Sequence, residues 1–319
     1  MAQALRRHIF TTCGHFRGRV ESWDVVNEAL APDGTLADNV FLRKIGRGYI
    51  AQAFRWAREA DPEALLLYND NKVEGAAVPG ASPPEAGLPT APVADFYRKS
   101  DAMYSLLQEL LADGVEVGGV GLQAHFNAAG VGLGRCPTPA AVAANVARLA
   151  ALAPDFAVNI SEMDVRISKL PPVPADSAAS DAVLRSAVQA QIYGDVLARA
   201  CCTAGFSGVT LWGFTDKHSW VHEFYHEDAP LVFDGEYRRK PSYFALLTAL
   251  EAARARVGGG EVAAWGTGVG KDGLEREAGE GGAAGALWGS AWMQAEPTGE
   301  AREAAVAGSS LPDWQQQPA

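Results

Sequence analysis

The sequence predicts an α/β fold in which strands and helices alternate. Three observations support this prediction. Short apolar, β-branched runs recur along the chain, segments with apolar residues at helical spacing lie between them, and several strand-like runs end in polar residues. The alternation occurs five times, and such alternation is typical of parallel βα units.

The elements follow one another without a detectable short repeat. The chain opens with the end of a helix at 2–13 and a turn at 14–18. The predicted strands are 22–28, 64–67 (followed by a polar end at 68–70), 115–125, 156–162 and 208–214, and the predicted helices are 41–60, 96–112, 139–152, 181–202 and 241–256. A Pro-, Gly- and Ala-rich segment at 74–93 interrupts the pattern, and we interpret it as an inserted surface loop.

The composition changes after residue 256. Gly and Ala crowd residues 258–289, and no sustained apolar period appears there. We therefore interpret 1–256 as the folded domain and 257–319 as a flexible, poorly ordered Gly/Ala-rich tail.

Charge and hydropathy exclude some classes of partner. The formal net charge is −11 with a pI near 5.1, which argues against nucleic-acid binding because phosphate contacts need clustered Lys and Arg. No apolar run reaches the length of a membrane span, and Met1–Phe10 lacks the apolar centre of a signal peptide. We expect no membrane partner, and we find no export signal in this chain.

Two acidic residues at strand ends carry the functional hypothesis. Glu28 closes the run SWDVVNEAL, and Glu162 follows a second β-branched run, with Asp164 two residues on and on the same side of the strand. A single strand-end Glu is more often a loop cap than a catalytic group. A pair is different, because the carboxyl ends of parallel strands converge on one crevice. Glycoside hydrolysis needs such a pair, one protonated acid and one carboxylate that attacks.

Six motifs in order resemble those of glycoside hydrolase family 10, the retaining endo-1,4-β-xylanases. They are SWDVVNEAL, LLLYNDN, VGLQAHF, NISEMDVRI, VTLWGFTDKHSW and PLVFDGEYRRKPSYFAL, and the similarity covers about 5–250. The resemblance implies a (β/α)8 barrel with the acid/base after the fourth strand and the nucleophile after the seventh. Counting back from the last strand, this chain begins in the helix before the fourth, so we expect about the last five βα units.

The resemblance assigns a role to each catalytic group. Glu28 is the expected acid/base and Glu162 the expected nucleophile, with carboxyl groups roughly 5 to 5.5 Å apart in a retaining enzyme. Glu28 must hold a proton near neutral pH, which requires partial desolvation and the nearby charge of Glu162. We expect His125 and Asp164 to form a hydrogen-bonded chain that orients Glu162.

The remaining predicted site residues would bind or frame the sugar. Asn27 would bind the 2-hydroxyl, Gln123 would support the polar network, Trp212 and Trp220 would form apolar walls, and Tyr68 and Asn69 would line the leaving-group side. Without the resemblance, Trp212 is equally well explained as a core residue, and His125 is better explained in that way.

Metal binding is a competing interpretation of one segment. His218, His222 and His226 are spaced four apart with Asp216, Glu223 and Glu227 among them, a metal-like pattern on a continuous helix. The family has an irregular aromatic loop at this position, so we expect no metal, and we expect no cofactor elsewhere.

The expected function is hydrolysis of internal β-1,4-xylosidic bonds in xylan, or of a related β-1,4-linked polysaccharide, by a retaining double displacement. The alternative is a truncated, catalytically impaired derivative that binds polysaccharide, because the family places its glycone-binding residues in the first three βα units. The family also implies an extracellular location.

Overall fold

The structure, a computed structural model, describes residues 1–78, 97–130, 136–172 and 180–256. The predicted tail at 257–319 lies outside the described residues. The strands are β1 (Ser22–Asn27), β2 (Leu65–Asp70), β3 (Gly119–Leu122), β4 (His125–Asn127), β5 (Ala157–Arg166) and β6 (Phe206–Leu211). The helices are α1 (Ala2–Phe16), α2 (Val40–Ile45), α3 (Tyr49–Ala60), α4 (Arg98–Ala112), α5 (Pro139–Ala150), α6 (Asp181–Ala200), α7 (Val221–Phe224) and α8 (Pro241–Arg256).

The strands form one parallel sheet. Its order is β1-β2-β3-β5-β6, and the short β4 pairs with the second half of β5. Five principal strands, each followed by at least one helix, confirm the predicted five βα units. Within the described residues, β1 and β6 each pair with a parallel strand on one side only.

The core lies between the outer face of the sheet and the helices. Leu66 and Tyr68 of β2, Val120 and Leu122 of β3, and Val158 and Ile160 of β5 are buried there with Phe54, Leu107, Val146 and Tyr193 from the helices. Because strand side chains alternate between faces, Asn69 and Gly121 face the opposite side of the sheet, away from these helices.

Several predicted boundaries require correction. The predicted strand 208–214 is β6 at Phe206–Leu211, so Trp212 follows the strand rather than lying in it. Helix α1 continues to Phe16, so Gly14 is helical rather than part of a turn. The predicted helix 41–60 is two helices, because α2 ends at Ile45 and is followed by Gly46, whose φ of 88° lies in the left-handed region. The predicted strand 115–125 contains only β3 and the first residue of β4, because the φ of 61° at Ala124 interrupts the extended backbone.

The predicted surface loop at 74–93 is wrong at its start. Glu74, Gly75 and Ala76 are buried, and the backbone N–H of Ala76 donates to the carbonyl of Ala141 at 3.0 Å. Residues 79–93 of the predicted loop lie outside the described residues. None of the described helices is long and apolar enough to cross a bilayer.

Candidate active site

The end of β1 places Glu28 at the rim of the sheet. The register pairs Asn27 of β1 with Asn69 of β2, and the N–H of Glu28 donates to the carbonyl of Asn69 at 2.9 Å. Glu28 has a φ of 53°, so the extended conformation stops there. The half-buried Glu28 side chain is thereby placed at the carboxyl end of the sheet.

Glu162 reaches the same rim from within β5. The prediction ended this strand near Glu162, but β5 continues to Arg166 because β4 pairs with its second half. The pairing of β5 with β6 is irregular between Ile160 and Met163. The N–H of Glu162 donates to the carbonyl of Gln123 at 3.1 Å.

Amide side chains connect the two carboxylates. Gln123 Nε2 donates to Glu28 Oε1 at 3.0 Å and to Asn27 Oδ1 at 3.2 Å. Asn69 Nδ2 donates to the same Asn27 oxygen at 3.0 Å and to Glu162 Oε1 at 2.7 Å. Glu28 and Glu162, 134 positions apart in sequence, therefore belong to one hydrogen-bonded network.

A glycine makes room for this network. A Cβ at Gly121 of β3 would lie 2.3 Å from Asn69 Oδ1 and 3.1 Å from Ser161 Oγ. Ser161 Oγ donates to the same Asn69 oxygen at 2.6 Å. Since no real Cβ tolerates the first of these distances, a side chain at position 121 would displace Asn69.

His125 connects Glu162 to a buried acid. Its Nε2 lies 3.2 Å from Glu162 Oε2, and its Nδ1 lies 2.9 Å from Asp164 Oδ2. The Glu162 side chain is 12% exposed and that of Asp164 is fully buried. Burial lowers the pKa of His125, but the hydrogen bonds and charges of Asp164 and Glu162 outweigh it and raise the pKa to about 9. His125 is then protonated at neutral pH and donates to both carboxylates.

Two tryptophans border His125. The Trp220 ring centroid lies 4.8 Å from that of His125, and its Nε1 donates to Asp164 Oδ2 at 2.7 Å. The Trp212 ring lies edge-on to His125 at 6.4 Å and is 47% exposed. Trp212 thus offers an open apolar surface beside His125, whereas Trp220 also supports the acid behind His125.

The structure contradicts the prediction for Tyr68. Its side chain is fully buried in the core, and its hydroxyl donates to Asp70 Oδ2 at 2.5 Å. Burial and the charge of Asp70 raise the pKa of Tyr68 well above its usual value. Tyr68 neighbours Asn69, so it faces the opposite side of the strand and does not line a cleft.

Sequence reasoning missed three residues near the site. Ser161 holds Asn69, and Glu74 accepts a hydrogen bond from the backbone of Ala124 at 2.9 Å. Desolvation and the charge of Glu162 raise the pKa of Asp24. In the register of β1 with β2, Asp24 pairs with Leu67 and Asn27 pairs with Asn69. The run SWDVVNEAL already placed Asp24 within a strand, but nothing local marked Glu74 or Ser161.

The histidines of the competing metal hypothesis have other neighbours. His218 Nε2 lies 3.2 Å from the Tyr237 hydroxyl, and His222 Nε2 lies 2.9 Å from the carbonyl of Asp228. The described ranges contain no group of three or more His, Cys, Asp or Glu side chains arranged to hold a metal ion.

A family model, described as Glycosyl hydrolase family 10, matches residues 1–80 and 93–249. The chain belongs to glycosyl hydrolase family 10. The family 10 fold is a (β/α)8 barrel, and the five parallel βα units described above are part of it.

Relatives of this family 10 chain are named xylanases. Endo-1,4-beta-xylanase B of Thermotoga neapolitana is 32% identical over 248 residues, covering 77% of this chain and 61% of the relative. Endo-1,4-beta-xylanase D of Talaromyces funiculosus is 36% identical over 253 residues, covering 78% and 52%. The chain therefore spans between half and two thirds of the length of these curated relatives.

Solved structures extend the comparison to three dimensions. Native xylanase 10B from Thermotoga maritima has a TM-score of 0.64 and 33% identity, covering 80% of this chain and 68% of that one. Xylanase 10B from Thermotoga petrophila, solved in complex with xylobiose, has a TM-score of 0.63 and 35% identity, covering 77% and 64%.

Proposed function

We propose that this protein hydrolyses internal β-1,4-xylosidic bonds in xylan by a retaining mechanism. The observation that carries the proposal is the network in which Gln123, Asn27 and Asn69 connect Glu28 to Glu162. Two carboxyl groups with different surroundings at one rim are what this chemistry requires. The relatives named xylanases, one of them solved with xylobiose, support xylose units as the substrate.

In the first step, Glu28 gives a proton to the glycosidic oxygen while a Glu162 oxygen bonds to the anomeric carbon. The bond from that carbon to the leaving oxygen breaks, and a glycosyl-enzyme ester forms. Protonated His125 and the Asn69 amide each donate to Glu162, so the attacking carboxylate is oriented toward the sugar.

In the second step, Glu28, now a carboxylate, takes a proton from a water that attacks the same carbon. The ester bond to Glu162 breaks, and both carboxyl groups return to their initial states. Asn27 lies between the two acids, where its amide is suited to bind the 2-hydroxyl of the sugar, and the open ring of Trp212 offers a wall for a pyranose face.

The alternative is a polysaccharide-binding derivative without catalysis. Loss of catalysis would leave the two acids and their partners free to change, whereas here Glu28, Glu162, His125 and Asp164 are all present and hydrogen-bonded. The intact network favours the enzyme. Because xylan is a polymer, we also propose that the protein acts outside the cell.

Turnover of an aryl β-xylobioside by the purified chain tests the proposal, with Glu162→Ala as the control. Release of the aryl group that the substitution abolishes supports the enzyme. A folded chain that binds xylan without releasing product would support the binding derivative.

A further inference from the structure

The segment after β2 is firmly attached to two helices. The carbonyl of Val73 accepts hydrogen bonds from Ser100 Oγ of α4 at 3.0 Å and from Asn145 Nδ2 of α5 at 2.7 Å. The N–H of Ala76 donates to the carbonyl of Ala141 in α5. Both helices belong to the outer layer of the barrel wall, so this segment has a fixed position relative to the sheet.

Glu74, in the middle of that segment, is a buried carboxyl. It is 3% exposed, and its Oε1 accepts hydrogen bonds from the N–H groups of Lys72 at 3.1 Å and Ala124 at 2.9 Å. Burial raises the pKa of Glu74, while the hydrogen bond from Ala124 and the charge of His125 lower it. Burial of a carboxyl costs folding free energy unless hydrogen bonds compensate for the lost water. The two backbone N–H groups supply this compensation, which indicates that Glu74 has a specific task.

Ala124 is the residue on which Glu74 acts. It is fully buried with a φ of 61°, a left-handed conformation that side-chain-bearing residues rarely adopt. Its N–H is bound to Glu74, and its carbonyl accepts from the N–H of Asp164 at 3.3 Å. The surrounding structure therefore maintains an otherwise unfavourable turn between β3 and β4.

The two neighbours of Ala124 reach the two acids. Gln123, on one side, donates to Glu28, and His125, on the other, lies against Glu162. A rotation of the backbone at Ala124 would redirect both side chains at once, because they leave the chain on either side of the turn.

We propose that Glu74 is a positioning residue, which holds the N–H of Ala124 and so fixes the turn from which Gln123 reaches Glu28 and His125 reaches Glu162. Its kinetic consequence rests on the proposed function, while its structural consequence does not. Misplacement of aligned groups by about 1 Å lowers rates by up to about 100-fold.

The experiment compares three variants of the full chain. Glu74→Ala removes the acceptor, Glu74→Gln keeps a carbonyl oxygen for the Ala124 N–H, and Leu149→Ala is a matched control. Leu149 is fully buried in the last turn of α5, whereas Ala141, which binds the Glu74 segment, lies in the first turn, so this control destabilises the fold at the other end of the helix. Circular dichroism sets a temperature at which all three are folded.

Two readouts are needed. On an aryl β-xylobioside, we expect Glu74→Ala to lower kcat by about 10- to 100-fold with little change in KM, and Glu74→Gln to recover most of that loss. The ¹⁵N shifts of the His125 imidazole, assigned by their absence in His125→Gln, should move in Glu74→Ala and stay unchanged in Leu149→Ala.

The results separate the positioning role of Glu74 from the proposed function. Equal losses of kcat in Glu74→Ala and Leu149→Ala, or unchanged His125 shifts in Glu74→Ala, would overturn the positioning role. A folded wild-type chain without turnover would overturn the proposed function, and the imidazole shifts alone would then decide the inference about Glu74.

Discussion

The two carboxylates of the site are held in very different ways. Glu162 accepts hydrogen bonds from Asn69 and His125, one on each oxygen, and lies in front of the fully buried Asp164. Glu28 follows β1, which has a single neighbour among the described strands, and within the described part of the chain it accepts from one side chain, Gln123. The difference teaches how two chemically identical residues take different tasks. Donors on both oxygens suit the proposed nucleophile, which they orient, whereas a carboxyl held by one donor suits the proposed acid/base.

The sharpest test of this comparison removes Glu162, the proposed nucleophile. Glu162→Ala deletes the oxygen that forms the glycosyl-enzyme ester, so we expect kcat on an aryl β-xylobioside to fall by at least about 10⁴-fold. Steady-state release of the aryl group measures it. A Glu162→Ala protein that retains a tenth of wild-type turnover would show that this residue is not the nucleophile.

The effect of replacing Glu28, the less constrained carboxyl, should depend on the leaving group. We expect Glu28→Ala to lower kcat/KM on xylan by about 10²- to 10⁴-fold, because a sugar leaves only when protonated. An aryl group of low pKa leaves without that proton, so formation of the glycosyl-enzyme should be far less affected. Parallel assays on xylan and on a dinitrophenyl glycoside measure the contrast, and equal losses on both substrates would contradict an acid role.

Asn69→Ala tests the hydrogen-bonded connection between Glu28 and Glu162. It removes a donor to the Glu162 carboxylate and leaves Asn27 with one fewer partner, so we expect kcat to fall by about 10- to 100-fold. Tyr68→Phe is the matched control, since it alters the adjacent side chain on the other face of β2. Tyr68→Phe should reduce the melting temperature and leave kcat within about two-fold of wild type. A comparable loss of kcat in both variants would show that Tyr68 contributes to the active site.

The last expected effect is on stability rather than turnover and concerns the charge of His125. Its pKa is raised from 6.5 in the unfolded chain to about 9 in the folded one. The folded state thus binds this proton more tightly, so the stabilisation is complete below pH 6.5 and is lost as the pH rises through about 9.

Urea unfolding of the wild type and of His125→Gln at pH 6 and pH 9 measures this contribution. Relative to His125→Gln, the wild type should lose no more than about 3 kcal/mol of unfolding free energy between pH 6 and pH 9. If the difference in unfolding free energy between the wild type and His125→Gln stays constant with pH, or grows toward pH 9, His125 is neutral beside Glu162.

Sequence patterns were sufficient for the order of the elements and for both acids. Apolar runs of period two and segments of helical period are local properties, so the five βα units could be predicted from the residues themselves. Glu28 and Glu162 each follow or occupy such a run within motifs that resemble one family. The fold and family are confirmed by the comparisons, whereas the roles of individual site residues stay predictions.

Only the tertiary structure decided which side chains meet. The orientation of Tyr68 depends on the register between β1 and β2, the contact of Ser161 with Asn69 depends on the empty space at Gly121, and the task of Glu74 depends on two helices that carry its segment to Ala124. These contacts join residues dozens of positions apart. Local pattern specifies a strand or a helix because neighbouring residues determine backbone preference, but the packing of distant elements determines what each polar side chain touches.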